Sequence, residues 1–81
     1  PNLSNNVNKI DELVSSGKSL LENGDFNNAL SYFEQALLLD LKNPDLWNYK
    51  GTALRSLGRY AESMECFNNS LKLDPRDKFS S

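Results

Sequence analysis

Apolar residues recur at helical spacing in four separate stretches of this chain. The stretches run over about 6–23, 26–40, 44–57 and 60–73. In the first, the apolar residues that share one helical stripe are Val7, Ile10, Leu13, Val14, Leu20 and Leu21. No stretch alternates apolar and polar residues with the period of two that a half-buried strand requires. The pattern therefore predicts four α-helices and an all-α fold.

Capping residues mark where the first three of these helices begin or end. Ser4 and Asp25 are expected to be the N-caps of the first and second helices, because their side-chain oxygens can accept a backbone N–H. Gly24 and Gly58 are expected to end the first and third helices in the left-handed conformation.

The remaining boundaries are set by proline. Residues 41–44 predict a turn, with Pro44 in the first turn of the third helix, where its missing N–H costs nothing. The pair Asp74-Pro75 is expected to stop the fourth helix, and the polar residues 76–81 to be frayed. Connections of so few residues join antiparallel neighbours, so the helices are expected to form two α-hairpins.

The two predicted hairpins are copies of one pattern. Residues 10–43 align without gaps to residues 44–77 with eight identical pairs in 34, where about two are expected by chance. The identical pairs are Asp11/Asp45, Gly17/Gly51, Leu20/Leu54, Gly24/Gly58, Phe33/Phe67, Leu37/Leu71, Leu39/Leu73 and Asp40/Asp74. Such a period is typical of stacked helical units that cannot bury their apolar faces alone. We therefore treat residues 1–81 as one domain of two units, about 10–43 and about 44–77.

The residues shared by the two copies resemble the tetratricopeptide repeat (TPR), whose 34-residue pattern is W-x2-L-G-x2-Y, A-x3-F and P. The second copy reads Trp47-x2-Lys50-Gly51-x2-Leu54, Ser63-x3-Phe67 and Pro75; the first reads Leu13-x2-Ser16-Gly17-x2-Leu20 and Ala29-x3-Phe33. The resemblance implies an αα-superhelix, or solenoid, of two helix-turn-helix hairpins. The departures from the pattern are Ser63 for Ala, Leu41 for Pro, and Ser16 and Lys50 for Leu.

Packing roles follow from this resemblance. Gly17 and Gly51, together with Ala29 and Ser63, are expected to be small because the two helices of a unit cross closely there. Phe33 and Phe67 are expected to fill the space between successive units. Across the seam between the hairpins, Phe33 is expected to meet Trp47.

The resemblance also implies a protein–protein interaction module that holds a peptide or helix of a partner protein in a concave groove. The first helix of each unit lines that groove, and the implied groove residues are Ser15, Lys18, Asn48, Tyr49, Thr52 and Arg55, with Asp11, Val14, Leu21, Glu22, Asp45 and Ser56 beside them. An Asn amide can bond a peptide backbone, and an Arg can hold a carboxylate. The alternative, a polar helix face that is simply solvated, stays open.

One TPR subclass binds the acidic C-termini of chaperones through a clamp of Lys and Asn residues. That clamp would need Lys, Asn and Asn where this chain has Val14, Lys18 and Tyr49, and it also needs a third unit. We therefore do not expect this function.

A stack of only two units leaves its last helix uncovered. Met64, Phe67 and Leu71, with Leu57 nearby, would then face water, and contiguous exposed apolar surface usually marks an interface. Two alternatives remain: the chain is a homo-oligomer assembled through this end, or it is a fragment of a longer array. The second fits a chain that begins with Pro1 rather than Met.

Composition narrows the functional classes. The net charge of −2 gives no reason to expect a nucleic-acid or membrane partner, and the chain has neither an 18-residue apolar run nor a visible signal peptide. The single cysteine, Cys66, is expected to be a buried small hydrophobe, which fits a reducing, cytoplasmic setting. Without histidine, and with its acidic pairs at helix ends or on wet faces, the chain is expected to have no metal, cofactor or catalytic site.

Overall fold

A computed structural model describes the backbone of residues 2–74 and the side chains of residues 8–74. Within this range the chain forms four α-helices and no strand: α1 (Asn2–Glu22), α2 (Phe26–Leu39), α3 (Pro44–Ser56) and α4 (Tyr60–Leu73). The prediction of an all-α fold is confirmed. The expectations for Pro75 and for residues 76–81, and the side chain of Val7, lie outside the described part.

The start of α1 is the one helix boundary that was predicted wrongly. The helix begins at Asn2, so Ser4 lies inside it and is not its N-cap. Residues 2–6 contain neither Gly nor Pro, so no residue in that segment prevents the helix from extending back to Asn2.

The predicted helix ends in the two hairpin turns are confirmed. Gly24 and Gly58 have φ angles of +83° and +82°, the left-handed conformation that only glycine adopts without strain. Asp25 occupies the N-cap position of α2, but its carboxylate accepts a 2.7 Å hydrogen bond from the Asn28 side chain and none from the helix backbone. Its predicted capping bond is therefore absent.

The connection between the hairpins has a cap that the sequence analysis missed. Asn43 is the N-cap of α3, and its Oδ1 accepts a 3.0 Å hydrogen bond from the backbone N–H of Asp45. Pro44 lies in the first turn of α3, as predicted. The amide cap and the proline together fix where α3 begins.

Each helix packs against the next along the chain, α1 on α2, α2 on α3 and α3 on α4. The four antiparallel helices thus form an αα-superhelix of two hairpins. The core lies in two clusters of buried side chains, one of Ala29, Leu30, Phe33, Ala53, Leu54 and Cys66, the other of Leu13, Ala36, Leu37 and Leu46. Trp47 and Tyr49 of α3 pack against both clusters and so join the two hairpins.

The ring contact across the seam differs from the prediction. Phe33 stacks on Tyr49, with ring centroids 5.2 Å apart and an interplanar angle of 17°. Trp47 instead packs against the edges of both clusters and donates a 2.8 Å hydrogen bond from Nε1 to the carbonyl oxygen of Leu41. Both aromatic residues of α3 therefore hold the seam, but Tyr49 is the stacking partner of Phe33.

Close helix crossing within each unit explains why both copies pair a glycine with a phenylalanine at the same spacing. A Cβ added to Gly17 would lie 2.5 Å from the Phe33 ring, and one added to Gly51 would lie 2.7 Å from the Phe67 ring. Each phenylalanine therefore packs first on the glycine of its own unit. Phe33 also fills the space between units, whereas Phe67 has no following unit to meet among the described residues.

Candidate functional site

Two neighbouring first helices carry the six predicted groove residues. Ser15 and Lys18 lie on α1, and Asn48, Tyr49, Thr52 and Arg55 lie on α3. Four of them are exposed, namely Ser15, Lys18, Asn48 and Arg55, whereas Tyr49 and Thr52 are half-buried. The structure thus divides the set into side chains available to a ligand and side chains already used in packing.

Tyr49 belongs to the seam as much as to the groove. One contact of its ring is the stack on Phe33, and the Nζ of Lys18 lies 5.5 Å from the centre of the same ring. A cation at this distance from an aromatic ring is attracted by the ring electrons. Lys18 of α1 and Tyr49 of α3 are therefore brought together across the junction of the two units.

The Thr52 hydroxyl has no proton left to donate to a ligand and can only accept a hydrogen bond from one. It donates a 2.9 Å hydrogen bond to the carbonyl oxygen of Asn48, four residues earlier in α3. Bonds of this type occupy the hydroxyl proton within the helix. The Asn48 amide, in contrast, is exposed and makes no side-chain hydrogen bond within the described part of the chain.

Arg55 is the second exposed cation of the groove and lies in the last turn of α3. Its guanidinium carbon lies 5.6 Å from the centre of the Phe67 ring, which positions the charged group without neutralising it. No ion pair to Lys18 or Arg55 occurs among residues 8–74. Both cations can therefore bind a carboxylate of a ligand, and Arg55 can donate two parallel N–H groups to it.

The apolar side chains that were expected at the open end differ in their exposure. Met64 is 61% exposed, whereas Phe67 and Leu71 are half-buried. Tyr60, which was not among the residues expected there, precedes them on α4 and is 65% exposed. It is the counterpart of Phe26 in the first unit.

A second concave surface lies where α2, α3 and α4 meet, and the sequence analysis missed it. It is a depression of about 410 Å³. Its lining residues are Glu34, Trp47, Lys50, Leu54, Arg59, Glu62, Glu65, Cys66, Asn68, Asn69 and Lys72. Its charged side chains include partners that neutralise one another: Arg59 donates two hydrogen bonds to Glu62, and this interaction lowers the pKa of the Glu62 carboxyl. The six charged side chains of the lining, three acidic and three basic, sum to a net charge of zero, so the depression favours neither an anionic nor a cationic ligand.

Comparison with known proteins settles the family. The sequence profile of the tetratricopeptide repeat matches residues 15–78, which is most of the chain. The chain belongs to the tetratricopeptide repeat family. Repeats of this family typically serve as non-catalytic modules for protein interaction.

Two similar proteins extend this result. The uncharacterized protein MJ0572 of Methanocaldococcus jannaschii is 38% identical over 69 residues, which cover 85% of this chain and 80% of that protein. Superkiller protein 3 of Schizosaccharomyces pombe is 35% identical over 52 residues, 64% of this chain but only 4% of that much longer protein. The second match is thus to a small part of its relative.

Two of the departures from the TPR pattern, Lys50 and Ser63, have structural reasons. Lys50, at a position where Leu is common, lies 3.6 Å from a carboxylate oxygen of Glu34 and 5.6 Å from the centre of the Trp47 ring. Ser63, which replaces Ala at the helix crossing, is buried, and its hydroxyl donates a 2.8 Å hydrogen bond to the carbonyl oxygen of Tyr60. Both polar groups are therefore accommodated without an unsatisfied partner.

Cys66 occupies the core as predicted. Its side chain is 4% exposed and lies in the cluster that contains Phe33 and Leu54. Burial raises the pKa of the Cys66 thiol, which therefore stays protonated and unreactive at neutral pH.

Among the described residues, no three His, Cys, Asp or Glu side chains come close enough to hold a metal ion, and no helix is long and apolar enough to cross a bilayer.

Proposed function

We propose that this TPR domain binds a peptide segment of a partner protein in the groove formed by α1 and α3, with carboxylates of the peptide at Lys18 and Arg55 and none beside Asp11, Glu22 and Asp45 of the same groove. The observation that carries the proposal is the pair of exposed cations, Lys18 and Arg55, which have no ion-pair partner among the described residues. Asn48 is exposed on α3, as Arg55 is, and can bond the backbone of an extended peptide. The ligand is therefore expected to carry one carboxylate for each of the two cations.

The units that build this groove are proposed to comprise residues about 10–43 and about 44–77. The packing of α1 on α2 and of α3 on α4, together with the equivalent turns at Gly24 and Gly58, supports this division. A single buried cysteine and a net charge of −2 support a cytoplasmic location and a protein rather than nucleic-acid partner.

The test begins with a ligand selected on the whole domain. Random 12-residue peptides are displayed and selected on the wild-type chain, and the enriched peptides are titrated by fluorescence anisotropy against wild type, Lys18→Ala and Arg55→Ala. Removing one charge-assisted hydrogen bond at an exposed site is expected to weaken binding about fivefold to tenfold. Arg59→Ala is the matched control, because Arg59 is an exposed arginine outside the groove that pairs with Glu62.

The expected result is enrichment of acidic peptides whose affinity falls with Lys18→Ala and Arg55→Ala but not with Arg59→Ala. Peptides whose affinity is the same for wild type and Arg55→Ala would remove Arg55 from the site. Selection of peptides without acidic residues, insensitive to both groove variants, would contradict the proposal as a whole.

A second candidate function is assembly of the chain with itself. Its supporting observation is the exposure of Tyr60 and Met64 on one face of α4, where large apolar side chains are costly to leave in water. Light scattering across a concentration series tests it directly. A strictly monomeric mass up to several hundred micromolar would rule it out.

A further inference from the structure

The first unit shows what normally covers the outer face of a second helix. On α2 that face consists of Phe26, Leu30, Phe33 and Leu37, at steps of four, three and four. Leu30, Phe33 and Leu37 are all buried, and α3 is the helix that packs against α2 from the following unit. In this chain, then, an outer face of this type is buried by a neighbouring helix.

Within the described part of the chain, no following helix covers the equivalent face of the second unit. Its equivalent residues, Tyr60, Met64, Phe67 and Leu71, are named the trailing face here. Tyr60 and Met64 are each more than 60% exposed and Phe67 and Leu71 are half-buried, whereas three of the four counterparts on α2 are buried and only Phe26 is half-buried. The four residues of the trailing face are uncharged and span about 16 Å, at 1.5 Å per residue; the Arg55 guanidinium carbon lies 5.6 Å from the centre of the Phe67 ring.

The first helix of a second copy cannot cover this face as α3 covers α2. The residues through which α3 joins the buried clusters include Leu46, Tyr49 and Ala53. At the equivalent positions α1 has Glu12, Ser15 and Ser19, and all three are exposed. These three residues are named the leading face.

Head-to-tail stacking would place the leading face against the trailing face. Leu46 lies in one buried cluster with Leu37, so the equivalent contact between copies would place Glu12 against Leu71. Burying a carboxylate against a leucine without a partner is costly. A contact between the leading face of one copy and the trailing face of the next can be repeated indefinitely and would build a filament. The polar residues of the leading face therefore disfavour filaments.

We propose that two copies pair through their trailing faces about a two-fold axis, which deepens the assembly function proposed above. The spacing of the four residues reads the same in both directions along α4. In an antiparallel contact Tyr60 therefore meets Leu71 of the second copy, and Met64 meets its Phe67. A face that matches itself in this way satisfies the condition for an isologous interface.

The dimer is expected to be weak. Each copy contributes mainly one helix of 14 residues, which places the interface at the small end of specific protein contacts. The pairing is therefore reversible, with half-dissociation at tens of micromolar or above, and it closes at two copies.

Sedimentation velocity on the whole chain from 5 to 500 µM tests the stoichiometry. The weight-average mass of wild type is expected to rise and level off at twice the monomer mass. Met64→Glu, which places a charge in the centre of the trailing face, is expected to weaken pairing at least tenfold. Leu38→Glu is the matched control, since Leu38 is 79% exposed on α2 and lies outside both named faces; it should pair as wild type does.

Disulfide trapping tests the register. An equimolar mixture of the Tyr60→Cys and Leu71→Cys variants is expected to form the mixed disulfide, whereas a mixture of Glu12→Cys and Leu71→Cys is not. The native Cys66 is buried and serves as its own control in wild type, which should not cross-link. Efficient trapping of position 12 with position 71 would overturn the two-fold geometry in favour of stacking.

The remaining outcomes separate this proposal from those it rests on. A mass that rises beyond two copies without levelling would retain self-assembly but overturn the closed dimer. A monomeric mass at 500 µM would overturn both. Neither result touches the groove, because peptide affinity is measured at nanomolar to low-micromolar chain concentrations, where the dimer is dissociated.

Discussion

Substitution of the two helical glycines by alanine is expected to give effects of very different size, although the two sites are equivalent in sequence. Gly17 and Gly51 are each followed sixteen residues later by the phenylalanine that packs on them. In both sites an added Cβ would lie closer than 3.0 Å to the ring, so the ring must move. Phe33 is fully buried and stacked on Tyr49, whereas Phe67 is half-buried on an uncovered face.

The magnitudes follow from what each ring can do. Replacing Gly by Ala inside a helix stabilises it by about 1 kcal/mol. Overpacking a rigid core costs about 1–3 kcal/mol, occasionally more. Because the Phe33 ring has no free space to enter, the overpacking cost of Gly17→Ala is expected at its upper end of about 3 kcal/mol, and the free energy of unfolding should fall by about 2 kcal/mol net. Gly51→Ala should change it by less than about 1 kcal/mol, since Phe67 can turn toward solvent.

Urea unfolding followed by the fluorescence of Trp47, the only tryptophan, measures both variants against wild type. The double variant Gly17→Ala/Phe33→Leu identifies the cause, because a smaller side chain at position 33 should cancel part of the loss from Gly17→Ala. Equal losses for Gly17→Ala and Gly51→Ala would refute the reasoning, since burial of the opposing ring would then be irrelevant. A free energy of unfolding that is higher for Gly17→Ala than for wild type would refute it more strongly.

Two further changes test the core and the depression. Burial raises the pKa of the Cys66 thiol in the folded chain, so as pH rises above about 8.5 the thiol of the unfolded chain loses its proton first. The free energy of unfolding should therefore fall in that pH range. The urea midpoint should drop less between pH 7.0 and pH 9.5 for Cys66→Ala than for wild type. Lys50→Leu restores the residue that is common in this family and removes a partly exposed ion pair with Glu34. Such pairs contribute about 0–1 kcal/mol, so its unfolding free energy should stay within about 1 kcal/mol of wild type, and a larger loss would assign the pair a greater role.

Most helix boundaries could be predicted because the residues that set them act locally. Gly24, Gly58 and Pro44 fix the conformation of single backbone positions, and α2, α3 and α4 begin or end beside them. The start of α1 could not be found in this way, because no residue in the segment from Asn2 to Asn6 opposes a helix. Helical spacing alone identifies the buried stripe but not how far the helix continues beyond it.

The stacking of Tyr49 on Phe33 was missed for a different reason. At 100° per residue, Tyr49 lies about 160° around α3 from Trp47, which suggests a solvated face if the helix buries a single stripe. Helix α3, however, packs on α2 on one side and on α4 on the other. A helix between two neighbours has a buried arc wider than half its circumference, and Tyr49 falls at the edge of that arc. Repeat equivalence did not show this either, because the counterpart on α1 is the exposed Ser15.

This double position of Tyr49 determines how the groove can be studied. Tyr49→Ala would remove the stack on Phe33 and the ring next to Lys18 together, so weaker peptide binding could come from a shifted seam rather than from the missing tyrosine itself. Tyr49→Phe keeps the ring and both of these interactions and removes only the hydroxyl. Unchanged thermal stability with weaker binding in Tyr49→Phe would therefore report a hydrogen bond to the ligand. Arg55 lies outside both buried clusters, but Arg55→Ala removes the contact with the Phe67 ring, so the thermal stability of this variant is compared with wild type as well.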